Sequence, residues 1–179
     1  MKKGNKITLG GMMVALSMVC MMLTGLLPMA DYALPALAGI LLIPIVVELG
    51  RKWAVICWLA VSLLSFILAP LKDSALFYFV LLGHYPILKS LIESWRKPVL
   101  EWTVKFACFN LTVGAGLAAA VWLFRLDGYG DIFSAAPWLI AAGLLFLNLV
   151  FLVYDVALTR LVTAYMNYFR PRYVKKLLK

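Results

Sequence analysis

Charged side chains are scarce in this 179-residue chain. Only 14% of the residues are charged and 65% are hydrophobic, whereas a soluble domain is about half apolar and about a quarter charged. This balance excludes a soluble globular domain and a disordered chain, and it excludes a nucleic-acid-binding protein in spite of the net charge of +9. A membrane-spanning helix needs about 20 apolar residues, so the length accommodates about six spans with short loops.

Motifs of catalysis and metal binding are also absent. The chain has one histidine, no HExxH, CxxC or GxSxG pattern, and no phosphate-binding P-loop. The three cysteines, Cys20, Cys57 and Cys108, lie inside apolar runs without the spacing of metal ligands, and their odd number excludes a disulfide framework. We therefore predict no enzyme, no cofactor and no metal site, with the cysteines acting as small hydrophobic packing residues.

Six apolar segments predict an all-α, integral membrane bundle of six transmembrane helices in one domain. They cover residues 7–27, 32–49, 53–69, 74–92, 102–124 and 137–164, and a basic tail, 165–179, follows the last segment. The first segment is longer than the roughly 7–15 apolar residues of a signal peptide, so we expect it to be retained as the first span.

Basic residues are unevenly distributed between the two ends of the predicted bundle. With the N-terminus in the cytoplasm, all of the 17 lysines and arginines except Lys72 and Arg125 fall on the cytoplasmic side. The outer loops instead carry the acids Asp31, Asp73, Asp127 and Asp131. The positive-inside rule therefore predicts a multi-pass protein with both termini in the cytoplasm.

The histidine, His84, lies inside the fourth predicted span. Gly83 precedes it and Pro86 follows shortly after, and a proline inside a helix removes a backbone hydrogen bond and produces a kink. Polar side chains are costly inside a membrane and are candidates for function by default. We expect His84 and Tyr85 to face the bundle interior, either against a ligand or as packing residues at a structural kink.

Charged residues also lie inside the predicted spans, near their cytoplasmic ends. They are Glu48, Lys89, Lys105 and Asp155, in spans two, four, five and six. We predict that they form an ion-pair network that fixes the packing of the helices, and a proton-relay or coupling role is the alternative.

The remaining candidates for a functional role are a pair of asparagines and a pair of small residues. Asn110 and Asn148 lie near the middle of spans five and six, where an amide hydrogen bond between helices contributes about 1 kcal/mol. Gly11 and Ala15 in span one are four residues apart, a spacing at which small side chains let two helices approach closely.

The start of the chain resembles a known family. The segments KITL at 6–9, GMMVA at 11–15 and LPALAG at 34–39 are similar to the first two helices of the substrate-binding S components of energy-coupling factor (ECF) vitamin transporters. The resemblance implies a six-span protein of the bacterial plasma membrane that captures a small vitamin-like molecule from outside. It also implies partners: membrane lipid, a transmembrane coupling subunit and ATPase subunits that drive uptake.

The same resemblance implies where ligand and partners bind. It places the ligand in the outer half of the bundle, against spans four to six, and the coupling subunit against span one at Gly11 and Ala15. Aromatic rings there would stack on a flat ring, and the outer acids would favour a neutral or cationic molecule. The candidate ligand-binding residues are Asp31, Tyr32, Phe77, Tyr78, His84, Tyr85, Asn110, Trp122, Trp138 and Asn148.

Two other classes of membrane protein are alternative interpretations of the sequence. One is a small scaffold of the cell-wall or cell-shape machinery, similar to the rod-shape-determining protein of the elongation complex, which would need no ligand pocket. The other is a self-sufficient transporter or a channel. A channel would need a polar stripe along a helix, and none of the six spans has one.

Overall fold

The computed structural model describes residues 3–27, 30–95, 97–123 and 137–174, and within these ranges its secondary structure is entirely helical. The α-helices are α1 (Lys3–Leu23), α2 (Ala33–Ile40), α3 (Ile43–Glu48), α4 (Arg51–Leu68), α5 (Lys72–Phe77), α6 (Tyr85–Ile92), α7 (Pro98–Ala118) and α8 (Pro137–Ala164). Three π-helical segments, Tyr78–Leu82, Ala119–Leu123 and Tyr165–Val174, and a 3-10 turn at Glu93–Trp95 extend or join them.

Four helical stretches of the described chain are long and apolar enough to cross a membrane. They are Gly4–Leu23, Arg51–Leu68, Lys72–Trp95 and Trp138–Pro171, and Ala33–Glu48 is a shorter apolar stretch. The all-α class is therefore confirmed for the described residues, and these helices are compatible with a multi-pass membrane protein. The number of six spans and their orientation stay predictions.

The second predicted span, 32–49, is two helices rather than one. α2 ends at Ile40 and α3 begins at Ile43, with a turn at Leu41 and Leu42 between them. Pro44 lies in the first turn of α3 and has no backbone N–H, so the carbonyl of Ile40 has no donor four residues ahead. The sequence analysis missed this break.

The fourth span is broken at the predicted kink. The N–H of Gly83 donates to the carbonyl of Tyr78 at 2.7 Å, a bond of π-helical spacing, and α6 begins after it with Pro86 in its first turn. A Cβ atom on Gly39 of α2 would lie 2.5 Å from the Leu82 carbonyl oxygen. Only glycine therefore fits where α2 crosses the break.

The described loops before α2 and before α5 meet at one end of the bundle. There a Cβ atom on Gly25 would lie 2.6 Å from Pro70, and the Ser74 hydroxyl donates to the Asp31 carbonyl at 2.9 Å. We name this the acidic end. At the other, the basic end, α4 begins with Arg51 and Lys52 next to the end of α3. A buried core of Met21, Ala38, Val61 and Tyr78 joins α1, α2, α4 and the fourth span.

Candidate functional site

A cavity of about 440 Å³ opens between the fourth span, α7 and α8, in the half of the bundle toward the acidic end. The fourth span lines it with residues of α5 and the π-helical segment, and α7 and α8 line it with residues of their halves nearest that end. The lining residues are Leu76, Phe77, Val80, Leu81, Thr112, Val113, Gly116, Leu117, Leu139, Ile140, Gly143, Leu144 and Leu147.

The lining of this cavity is almost entirely apolar. Its one polar side chain is that of Thr112, whose hydroxyl already donates to the carbonyl of Phe109 in its own helix at 2.8 Å. A Cβ atom on Gly116 would lie 2.9 Å from Val80, so the absent side chain there lets α7 approach the fourth span. A Cβ atom on Gly143 would meet no atom within 4 Å, so the absent side chain there contributes open space.

Below the cavity, two asparagines join α7 to α8. Asn110 and Asn148 donate to each other's amide oxygens at 2.9 and 3.0 Å. Each also donates to a carbonyl of its own helix, four residues back, at 2.8 Å. These bonds occupy both amides with each other and with the backbone, so the pair holds two helices together beneath the cavity and does not line it.

A layer of aromatic rings lies beneath the asparagine pair. The ring of Phe151 in α8 stacks on that of Phe109 with centroids 4.3 Å apart, and it meets Phe106 and Tyr85 edge-on at 5.6 and 5.1 Å. Phe151 and Tyr85 are buried and belong to one core cluster with Leu158. This layer fills the space between the fourth span, α7 and α8.

Below the rings, Asp155 of α8 is buried at the centre of a polar cluster. The Tyr85 hydroxyl donates to its carboxylate. The Nζ atom of Lys89 lies 2.5 Å from the carboxylate, and that of Lys105 lies 3.2 Å from it. All of these side chains are buried, and a buried charge requires such partners.

Glu93 completes this cluster and was missed by the sequence analysis. Its Oε1 atom lies 2.7 Å from Nζ of Lys89 and 2.8 Å from Nζ of Lys105, so two cations alternate with two anions. Tyr85, Lys89 and Glu93 are spaced by four residues, which places them on one face of a helix. That spacing was the signal in the sequence that could have found Glu93. We call Tyr85, Lys89, Glu93, Lys105 and Asp155 the Asp155 cluster.

Glu48 does not belong to the predicted ion network. Its Oε1 atom lies 2.8 Å from Nε of Arg170, in the helical segment that continues α8. α3 ends at Glu48, at the basic end, where the continuation of α8 passes it. The prediction that Glu48 joins Lys89, Lys105 and Asp155 is therefore wrong.

Of the ten candidate ligand residues, Phe77 lines the cavity. Tyr32 is adjacent to it, with its ring edge-on to that of Phe77 at a centroid distance of 4.8 Å. Asp31 contacts α5 through the carbonyl bond from Ser74. Trp122 and Trp138 are 82% and 69% exposed and do not line the cavity. The outer acids Asp127 and Asp131 lie outside the described residues.

The other candidates of the fourth span point elsewhere. Tyr78 is fully buried in the core shared with α1, α2 and α4. His84 is half-buried beside Trp58 of α4, with ring centroids 5.9 Å apart, and Tyr85 belongs to the Asp155 cluster. Neither residue lines the cavity. His84 faces α4, whereas Tyr85 faces α8 below the cavity, at the level of the aromatic layer and Asp155.

Gly11 and Ala15 lie on the outward face of α1. Both are exposed, and a Cβ atom on Gly11 would meet no atom within 4 Å. α1 packs on its neighbours through another face, on which Gly10 approaches Cys57, and Ser17 donates to the Ala38 carbonyl. The small residues therefore do not serve packing within the described chain.

Among the described residues, no group of three His, Cys, Asp or Glu side chains converges to hold a metal ion. Comparison of the chain with protein-family models, with curated proteins and with solved structures finds no match.

Proposed function

We propose that this protein is the substrate-capture subunit of an uptake system in a cell membrane, with six spans and both termini in the cytoplasm. It binds a small molecule from outside, and partner subunits that hydrolyse ATP drive the uptake. The cavity between the fourth span, α7 and α8 carries this proposal. It lies toward the acidic end, which the distribution of basic residues predicts to be the outer end.

The lining of the cavity supports an apolar, uncharged substrate. A charged group placed there would lose its hydration without gaining an ion pair, because the lining contains no charged side chain. Phe77 presents an aromatic ring, which suits a ring-bearing molecule of vitamin size. The expected polar pocket of Asp31, His84 and the two asparagines is replaced in this proposal by an apolar one.

The cavity is open toward one end of the three helices and the space toward the other end is filled. This arrangement supports capture of a molecule rather than transport by this chain alone. Beneath the cavity, the aromatic layer and the Asp155 cluster fill the space between the helices. The chain also has no phosphate-binding loop. Energy for uptake therefore comes from partner subunits, and the exposed face of α1 around Gly11 and Ala15 is the surface that docks the transmembrane coupling subunit.

The test is identification of a copurified small molecule. The full chain is purified in mild detergent, and its extract is analysed by mass spectrometry beside that of a membrane protein prepared identically. An uncharged, ring-bearing molecule present at near one per protein supports capture. A preparation that contains membrane lipid alone and copurifies with cell-wall enzymes would support the scaffold and contradict the proposal.

A further inference from the structure

The cavity and the Asp155 cluster are built by the same three spans. The fourth span lines the cavity with residues 76–81 and enters the cluster with residues 85–93. α7 lines the cavity with 112–117 and supplies Lys105, and α8 lines it with 139–147 and supplies Asp155. These helices part around open space toward one end and are joined by ion pairs toward the other.

The cluster joins all three spans at once. Asp155 of α8 contacts Lys89 of the fourth span and Lys105 of α7, and Glu93 contacts both lysines. The opposite charges are equal in number, and every charged member has an oppositely charged partner. Separating α7 would leave Lys105 without an anion, and separating α8 would leave Asp155 without a cation. An unpaired buried charge is strongly unfavourable in a medium of low dielectric constant.

A second, smaller cavity adjoins the cluster. This cavity of about 100 Å³ lies between α3, α6 and α8, and Lys89, Ser90 and Glu93 help to line it. Glu93 is itself 40% exposed. The cluster therefore separates a space toward the basic end from the aromatic layer beneath the ligand cavity.

The fourth span is also broken between the two regions. The π-helical segment Tyr78–Leu82 and Pro86 lie between its cavity-lining part and its cluster-bearing part. Breaks of this kind are where helices bend. The lower part, α6, can therefore change its position without an equal change around the ligand.

We infer that the Asp155 cluster locks the inner closure of the ligand cavity, because it holds together the helices around the aromatic layer that fills the space above it. It keeps the fourth span, α7 and α8 together on the cytoplasmic side while the ligand binds from outside, and these helices part at the cluster when the ligand is released. This inference depends on the proposed capture function. According to this inference, residues that do not touch the ligand determine from which side of the membrane the cavity is accessible.

The test measures the access of a thiol reagent to the cavity floor, with a reagent whose small uncharged reactive end is joined by a flexible chain to a charged group that cannot cross the membrane. Cys20, Cys57 and Cys108 are replaced by alanine in the full chain, and Thr112→Cys, a change of nearly equal size, provides a single thiol at the floor of the cavity. Labelling is compared in right-side-out and inside-out membrane vesicles. With the cluster intact, we expect labelling from outside and none from inside.

In the Thr112→Cys protein, Asp155→Asn is expected to add labelling from the inside while labelling from outside is retained. Glu93→Gln, at the exposed rim of the cluster, provides a milder variant for which we expect slower labelling from inside. Glu48→Gln is the matched control, because it removes a charge at the same end from an ion pair outside the cluster. It should leave labelling one-sided.

Each outcome is decisive. If the folded Asp155→Asn and Glu93→Gln proteins are labelled from outside only, the closure is overturned and the capture site stands. If Asp155→Asn does not fold, Glu93→Gln decides by the same measurement. If the thiol at position 112 is not labelled from outside in the protein with an intact cluster, the capture site itself is contradicted.

Discussion

Tyr154 donates a hydrogen bond to the carbonyl oxygen of Leu82 at 3.4 Å. In an uninterrupted helix that carbonyl would accept from the residue four positions ahead, which here is Pro86 and has no N–H. Tyr154 of α8 thus supplies the donor that the fourth span lacks at its break. One helix therefore compensates a defect in another, since a backbone carbonyl within the protein needs a donor.

This relationship predicts a coupling between two substitutions. Tyr154→Phe is expected to destabilise the protein by about 0.5–1.5 kcal/mol, the usual contribution of one hydrogen bond. Pro86→Ala restores the backbone donor, so Tyr154→Phe should cost less in that background. Thermal unfolding of the four proteins in one detergent measures the coupling. Equal losses in both backgrounds would contradict the compensation.

The crossing of α2 over the break predicts a steric effect. Gly39→Ala places a Cβ atom 2.5 Å from the Leu82 carbonyl oxygen, and we expect a loss of about 1–3 kcal/mol, as for overpacked cores. Gly114→Ala is the control, because a Cβ atom there would meet no atom within 4 Å. Midpoints of thermal unfolding should fall for the first variant only, and an unchanged midpoint for Gly39→Ala would refute this packing.

The Asp155 cluster predicts that substituting two acids at the basic end lowers the stability of the protein by different amounts. Asp155→Asn leaves two buried lysines with one remaining anion, and removing one partner of a buried ion pair costs about 3–5 kcal/mol. Glu48→Gln removes a carboxylate that is itself only 6% exposed, but it leaves behind one cation, Arg170, that is 40% exposed and stays hydrated. Its cost should therefore be smaller than that of Asp155→Asn. Detergent unfolding ranks the two, and equal losses would show that the cluster is not the stronger ion network.

The outward face of α1 predicts a separation of uptake from binding. Gly11→Trp or Ala15→Leu should abolish uptake into cells while the purified protein still binds its ligand, because these residues lie outside the described packing of α1. Gly10→Trp is the contrasting variant, since a Cβ atom added at Gly10 would lie 3.4 Å from Sγ of Cys57. It should impair folding. Loss of binding in Gly11→Trp would place this face inside the protein.

The sequence predicted those features that depend on strong local signals. Apolar runs located the helices, and α8 covers the predicted residues, Pro137–Ala164, before it continues as a π-helical segment to Val174. The pair of Gly83 and Pro86 located the break in the fourth span. The cost of a buried charge led us to expect a partner for Asp155, and Lys89 and Lys105 lie within 3.2 Å of it.

The cavity could not be predicted in this way, and the reason is physical. Its lining consists of residues such as Leu139, Ile140 and Leu144, and the same residue types cover a helix surface that faces lipid. In a membrane protein, apolar side chains carry no signal that separates an inner surface from an outer one. The candidates were therefore sought among polar and aromatic residues, and the structure uses Asn110 and Asn148 to join helices instead.

The central claim is that the cavity between the fourth span, α7 and α8 binds the transported molecule, and filling that cavity tests it most directly. Gly143→Leu projects a side chain into the open space, whereas Gly114→Leu adds the same side chain at an exposed position that does not line the cavity. The amount of the copurified small molecule per protein is measured by mass spectrometry for both variants and the unaltered chain. We predict that the ligand is lost from Gly143→Leu and retained by Gly114→Leu. Full retention by a folded Gly143→Leu protein would contradict the account.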